Sequence, residues 1–167
     1  MIKILFQGDS VTDAGRDRTD FHGLGNGYPK FAAELIGNDF PDREIEFINR
    51  GISGDKAESL KARWQSDCIE LMPDVVSILI GVNDTWHFAD KGSWMPHEYF
   101  ESCYRDILEQ VKTKTKFADV YIPLDGIFAA ASVGIEPTFW ANDGVHPTEE
   151  GSKLIAFHYA QAIKKIL

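Results

Sequence analysis

With 167 residues, 44% of them hydrophobic and 26% charged, the chain has the balance of one soluble globular domain spanning 1–167. Its net charge of −9 argues against nucleic acid as a partner, because phosphate binding needs a concentrated basic surface. No apolar run approaches transmembrane length, and Met1 leads almost at once into an apolar segment with no room for a leader, so the expectation is a cytoplasmic protein without a membrane anchor.

In chain order, Ile2 to Gln7 reads as a strand stopped by Gly8, and the polar, glycine-rich stretch from Asp9 to Gly27 as a functional loop. A helix should begin near Pro29, carry Phe31, Ala32, Leu35 and Ile36 inward, and stop at Gly37. Glu44 to Asn49 is a second strand, ending in the turn Arg50-Gly51-Ile52-Ser53-Gly54. Asp55 with Glu58 three residues on suggests a helix start, followed by Ala57, Leu60, Trp64, Cys68 and Leu71 at helical spacing until Pro73. Asp74 to Ile80 is nearly all apolar, as a central strand covered on both faces would be. After Gly81 a polar loop is expected to Pro96, then a helix with Phe100, Tyr104 or Cys103, Ile107, Leu108 and Val111 on one face. Val120 to Leu124 reads as a strand that Pro123 confines to an edge or strand end. Thr148 should cap the last helix, with Glu149 and Glu150 in its first turn and Leu154, Ile155, His158, Tyr159, Ala162, Ile163 and Ile166 along its inner stripe.

Strands alternating with helices imply an α/β sandwich of the flavodoxin-like, three-layer kind, with a mostly parallel sheet of about four strands. Ligands in such folds lie at the carboxyl ends of the strands. The segments there are Gly8-Asp9-Ser10, Ser53-Gly54-Asp55, Gly81-Val82-Asn83-Asp84 and the late loop Asn142 to Pro147. They supply a serine, a histidine, carboxylates, an asparagine and a small-residue turn, an inventory sufficient for acyl transfer by a serine nucleophile. Taken singly each has a plainer explanation: Ser10 as a turn cap, Asn83 and Asp84 as turn formers, Asp143 and His146 as solvated loop residues. His22, His87, His97 and His158 show no metal-ligand spacing, so neither a metal nor another cofactor is expected. The Gly23-x-Gly25-x-Gly27 run follows a loop rather than a strand and carries little weight as a dinucleotide motif. Cys68 and Cys103 read as buried free thiols.

Taken together the segments form a pattern. Gly8-Asp9-Ser10-Val11 resembles the nucleophile block of SGNH/GDSL hydrolases, and Asn49-Arg50-Gly51-Ile52-Ser53-Gly54 resembles their second block. Gly81-Val82-Asn83-Asp84 is similar to the third and Asp143-Gly144-Val145-His146-Pro147 to the fifth. The resemblance implies a triad of Ser10, His146 and Asp143. It also implies an oxyanion hole from the amides of Ser10 and Gly54 and the side chain of Asn83, with Asp9 and Asp84 supporting the site. In detail the chain looks most like the acetylxylan esterase-type branch, whose substrates are acetylated sugars. That branch suggests Trp86, Trp140 and Arg63 as substrate-binding candidates; for the tryptophans plain packing is an equal reading, and Arg63 could instead bond loop carbonyls. The alternatives are a lysophospholipase or thioesterase, or a relic without catalysis. A receiver-like phosphorylation domain shares the sheet but lacks the aspartate it would need at the end of the Asp74–Ile80 strand.

The chain departs from the family in one respect. Between Val111 and Val120, where family members usually carry a further strand and helix, only Lys112 to Asp119 stands. Three expectations follow: the Val120 strand takes the vacated place; an uncovered edge favours homo-oligomers; or the Asp143–His146 loop shifts away from Ser10 and activity is lost.

Overall fold

A computed structural model describes residues 1–20, 22–90, 96–114 and 120–167, without the side chains of 87–90 and 114. His87's side chain and the end of the lysine-rich tract at Thr115 and Lys116 therefore lie outside the described residues. Three parallel strands, β1 (Ile2–Gly8), β2 (Ile45–Asn49) and β3 (Val75–Leu79), form a sheet in the order β2-β1-β3. Ile4 of β1 stands opposite Phe47 of β2 and Val75 of β3, so β1 is the central strand. Its alternation divides the core. Ile4 and Phe6 point to one face and pack with Tyr28, Ile36, Ile155 and Tyr159, whereas Leu5 points to the other, with Leu60, Trp64, Cys68 and Ile107.

The first face is covered by α2 (Tyr28–Asp39) and α7 (Glu149–Ile163), which pack along one another, and the second by α3 (Ala57–Ala62) and α5 (His97–Lys114). The result is the expected α/β three-layer arrangement, with a shortened sheet. Thr148 caps α7 as its sequence position implies, accepting from the Gly151 amide. Pro29 sits in the first turn of α2, but the helix runs past Gly37 to Asp39. Cys68 and Cys103 are buried and free. Among the described residues no helix is long and apolar enough to cross a membrane.

Four elements differ from expectation. β3 is an edge strand among the described residues, and every one of its side chains is part-exposed instead of covered on both faces. The expected strand at Val120–Leu124 does not form. Residues 120–123 are irregular, and a helix, α6 (Leu124–Ala131), starts after Pro123, which has no amide to give a ladder. The polar loop after Gly81 is instead α4 (Val82–Asp90). Lastly, the helix expected to run to Leu71 breaks at Arg63 into a wider turn over Gln65–Ile69, and Lys56 rather than Asp55 is its N-cap. Asp55 is drawn away by Arg63, and the Ala57 amide is served by Asp84 from α4.

Candidate active site

The site is built at the carboxyl ends of the three strands. β1 ends at Gly8, and the chain enters a one-turn helix, α1 (Ser10–Asp13), with Ser10 as its first residue. Asp9 caps that turn: its Oδ1 accepts from the Val11 amide at 3.0 Å. Asp9 is 1% exposed, and burial pushes its carboxyl up to about 6 despite that bond.

The loop after β2 is pressed onto α1. A Cβ on Gly51 would lie 2.4 Å from the Asp13 amide nitrogen, so only glycine allows this approach. Asn49, fully buried, donates to the carbonyls of Thr12 (2.7 Å) and Leu24 (2.9 Å). Asp13 accepts from both the amide and the hydroxyl of Ser53, at 2.9 Å each, and from Arg18. Burial works to raise the Asp13 pKa, but these donors outweigh it and hold the carboxyl below its ordinary value. Gly54 follows at φ +88°, exposed at the rim.

Asn83 and Asp84 tie the end of β3 to the same loop. Asn83 is 3% exposed, and its Nδ2 donates to the Asp55 carbonyl at 3.0 Å. Both oxygens of Asp84 lie 3.2 Å from the Ala57 amide nitrogen at the start of α3. Burial raises the Asp84 pKa, partly offset by that amide. Beneath the loop, Arg63 directs its guanidinium at Asp55 (2.7 Å), Asp67 (2.9 Å), the Gln7 side chain (2.9 Å) and the Gly8 carbonyl (3.3 Å). Its described donors thus face the protein, on the loop-carbonyl side of the two roles its sequence position suggests.

The fourth contribution comes from the loop before α7. Ala141 and Pro147 bridge antiparallel, and Thr148 donates from its amide to the Trp140 carbonyl at 2.9 Å. Within this loop Asp143 accepts from the amides of Val145 (2.9 Å) and His146 (2.7 Å) through Oδ1, while its Oδ2 stands 2.7 Å from His146 Nδ1. The imidazole bond, then the two amides, hold the Asp143 carboxyl far below its ordinary value. Because an ionised carboxylate only accepts, His146 Nδ1 carries the proton and Nε2 is the acceptor. Ser10 Oγ lies 2.8 Å from that Nε2 and donates to it. The Asp143–His146 loop is therefore within bonding reach of Ser10 in the shortened sheet.

Trp86 stands beside this line, its ring centroid 5.9 Å from the imidazole at 71°. Trp140 packs on Phe128 and Phe139 and holds the loop from behind. His22 is exposed beside Glu46, and His158 lies part-buried on α7, both away from the line. Among the described residues no group of three or more His, Cys, Asp or Glu side chains is placed to hold a metal ion. A cleft of about 480 Å³ opens on the α2 and α7 side of Ser10 and His146.

The sequence profile of the GDSL-like lipase/acylhydrolase family matches residues 6–138, most of the chain. The chain belongs to this family. The matched span takes in Ser10, Gly54 and Asn83 and stops before Asp143 and His146. An acetylxylan esterase of Geobacillus stearothermophilus is 39% identical over 118 residues, which cover 68% of this chain and 54% of that protein. The chain thus spans about half the length of this curated relative. Among solved structures, a GDSL-like lipase of Parabacteroides merdae superimposes with a TM-score of 0.88 at 33% identity, covering 96% of this chain and 94% of its own. An acetylxylan esterase of G. stearothermophilus gives 0.89 at 28%, covering 96% and 93%. That esterase has also been solved as catalytic mutants in which a serine, an aspartate or a histidine is replaced by alanine.

Proposed function

We propose that this GDSL-family chain is a serine carboxylic ester hydrolase that removes small acyl groups, acetyl foremost, from carbohydrates. The observation that carries the reading is the line of hydrogen bonds from Ser10 Oγ through His146 to Asp143, at 2.8 and 2.7 Å. In the relative, the aspartate and histidine of the catalytic mutants stand three positions apart, as Asp143 and His146 do.

Ser10 Oγ attacks the ester carbonyl while His146 Nε2 takes the hydroxyl proton. The carbonyl oxygen becomes an oxyanion, held by the amides of Ser10 and Gly54 and the side-chain amide of Asn83. Asp143 stabilises the imidazolium and fixes its tautomer. Collapse of the intermediate breaks the bond to the alcohol oxygen, which takes the proton from His146. Water then enters, loses a proton to His146, and attacks the acyl-serine to release the acid and regenerate Ser10.

Hydrolysis of p-nitrophenyl acetate and butyrate by the protein and by Ser10→Ala tests this. Acetate turnover that vanishes in the variant, with weaker butyrate turnover, is expected. A folded protein without Ser10-dependent turnover would refute the assignment.

A further inference from the structure

The catalytic line has two sides of different character, and among the described residues a cleft opens on one of them. The cleft of about 480 Å³ is lined by Ser10 and His146 together with Asn26, Lys30, Phe31 and Glu149, and neither Gly54, Asn83 nor Trp86 contributes to its wall. We propose that this cleft receives the alcohol half of the ester as a pyranose ring set against Phe31, and that the acyl half lies on the opposite side, against Trp86. The inference rests on the hydrolase reading given above and assigns the direction in which the substrate lies.

The alcohol oxygen must reach His146 Nε2 to leave, so the alcohol half occupies space bordered by both Ser10 and His146. The cleft is that space, and its volume falls in the range of small-molecule sites, far beyond what an acetyl group fills. Phe31 is part-buried against the α2–α7 core, which fixes its ring. Around it stand Lys30, Glu149, Asn26 and Ser152, together with Thr148, whose hydroxyl is engaged in capping α7 and on the Phe139 carbonyl. An aromatic floor with donors and acceptors of both signs suits a polyol, whose carbon face is apolar and whose edge is hydroxyl. A long acyl chain would instead desolvate these polar groups without offering them a hydrogen-bond partner. Both Lys30 and Lys153 lie over the Phe31 ring, 5.9 and 5.7 Å from its centroid; Lys153 is tied to Glu149 and Glu150, whereas Lys30 makes no ion pair among the described residues.

The test separates the two halves of the substrate. Phe31→Leu keeps apolar bulk and removes the ring. It is expected to lower kcat/KM for an acetylated xylooligosaccharide about tenfold, chiefly through KM. It should leave methyl acetate untouched, because a methyl alcohol does not reach Phe31. Trp86→Ala should do the reverse, relaxing the preference for acetate over butyrate without weakening the sugar. Binding of deacetylated xylooligosaccharide to Ser10→Ala, followed by calorimetry and again with Phe31→Leu added, reads the cleft without turnover. Equal losses on both esters, or a changed acyl-length preference in Phe31→Leu, would overturn the assignment. If the protein shows no Ser10-dependent turnover, the hydrolase reading fails, and the calorimetry still decides whether the cleft holds sugar.

Discussion

Arg63 links the nucleophile turn to the rest of the site, and removing it should be costly in a specific way. Its side chain is 15% exposed, and those of its partners Asp55 and Asp67 are 13% and 11% exposed. Arg63→Met keeps the packed stem and deletes the fork. Asp67 retains its 2.5 Å contact with Arg50, but Asp55 loses its partner, and the Gln7 oxygen loses its donor. Breaking a buried pair costs about 3–5 kcal/mol, and the residual exposure places this one at the low end, about 3 kcal/mol. For a chain of this length that lowers Tm by roughly 6–12 °C. The second effect is catalytic. The Gly8 carbonyl, held by Arg63 and by the Ile52 amide, immediately precedes Asp9 and Ser10, and Asp55 immediately follows Gly54. A shift of about 1 Å in either can cost about a hundredfold in rate, so kcat should fall while KM for the sugar ester stays near its original value. Arg63→Lys should recover little, because an ammonium cannot span Asp55, Asp67 and Gln7 at once. Thermal melts and steady-state kinetics check both effects. An unchanged Tm with a raised KM would refute the reasoning and make the guanidinium a substrate ligand.

Asn83→Ala should reduce kcat about a hundredfold or more, with a structure unchanged by circular dichroism; a near-normal rate would remove it from the oxyanion hole. Asp9 titrates at about 6 in the folded chain against an ordinary 3.8, so the folded state keeps a proton that the unfolded chain has already lost. Stability therefore falls as pH rises from about 4 to about 6, by about 3 kcal/mol, and Asp9→Asn, which keeps the cap acceptor, should flatten that slope in urea titrations at pH 4 and pH 7. An unaltered slope would show that Asp9 is not its source. A Cβ on Gly151 would lie 2.2 Å from the Trp140 carbonyl, so Gly151→Ala should push the His146 loop outward and lose activity at temperatures where the fold survives; full activity would mean the loop is positioned from elsewhere. The β3 edge, with no lysine, proline or bulge over Val75–Leu79, should give concentration-dependent self-association in sedimentation velocity, and a monomer at every concentration would show the edge to be protected.

How far the sequence could be read divides along physical lines. β1, β2, α2 and α7 were legible because their signals are local: an apolar run closed by a turn, Pro29 in a first turn, Thr148 before Glu149 and Glu150. The place of β3 was not legible because an apolar strand looks the same at a sheet centre and at the edge it forms among the described residues; what differs is the surroundings, not the residues. Asn83 and Asp84, which the resemblance assigns to the oxyanion hole and to support of the site, lie in the first turn of α4 rather than in the expected polar loop. The site's reactive groups stand out through their joint order, and the resemblance adds Asp9, Asp84 and Arg63 beside them, whereas the other side chains that hold them in place do not stand out. Gln7 and Asp67 meet 60 positions apart, and Asn49 reaches both Thr12 and Leu24. Asp13, which holds Ser53, was passed over as one polar residue in a polar loop, although its place in the turn opened by Ser10 was a signal that could have marked it.

The arrangement also explains how the two ends of the chemistry meet on a three-stranded sheet. Ser10, Gly54 and Asn83 follow β1, β2 and β3, the three strands among the described residues, and are tied to one another by Asn49, Asp13, Asp84 and Arg63. Asp143 and His146 owe their position to α7, which packs along α2 and buries Ile155, Tyr159 and Ile163 in the core that also holds Ile4 and Phe6 of β1. That face of the sheet is complete. A strand beyond β3 would add to the far edge, and none of the bonds that set the distance from Ser10 to His146 passes through it. The shortening is therefore expected to show in the stability and association of the β3 edge, and in the α6 helix, none of whose residues is buried. The geometry of the catalytic line, anchored on β1, α2 and α7, should be spared.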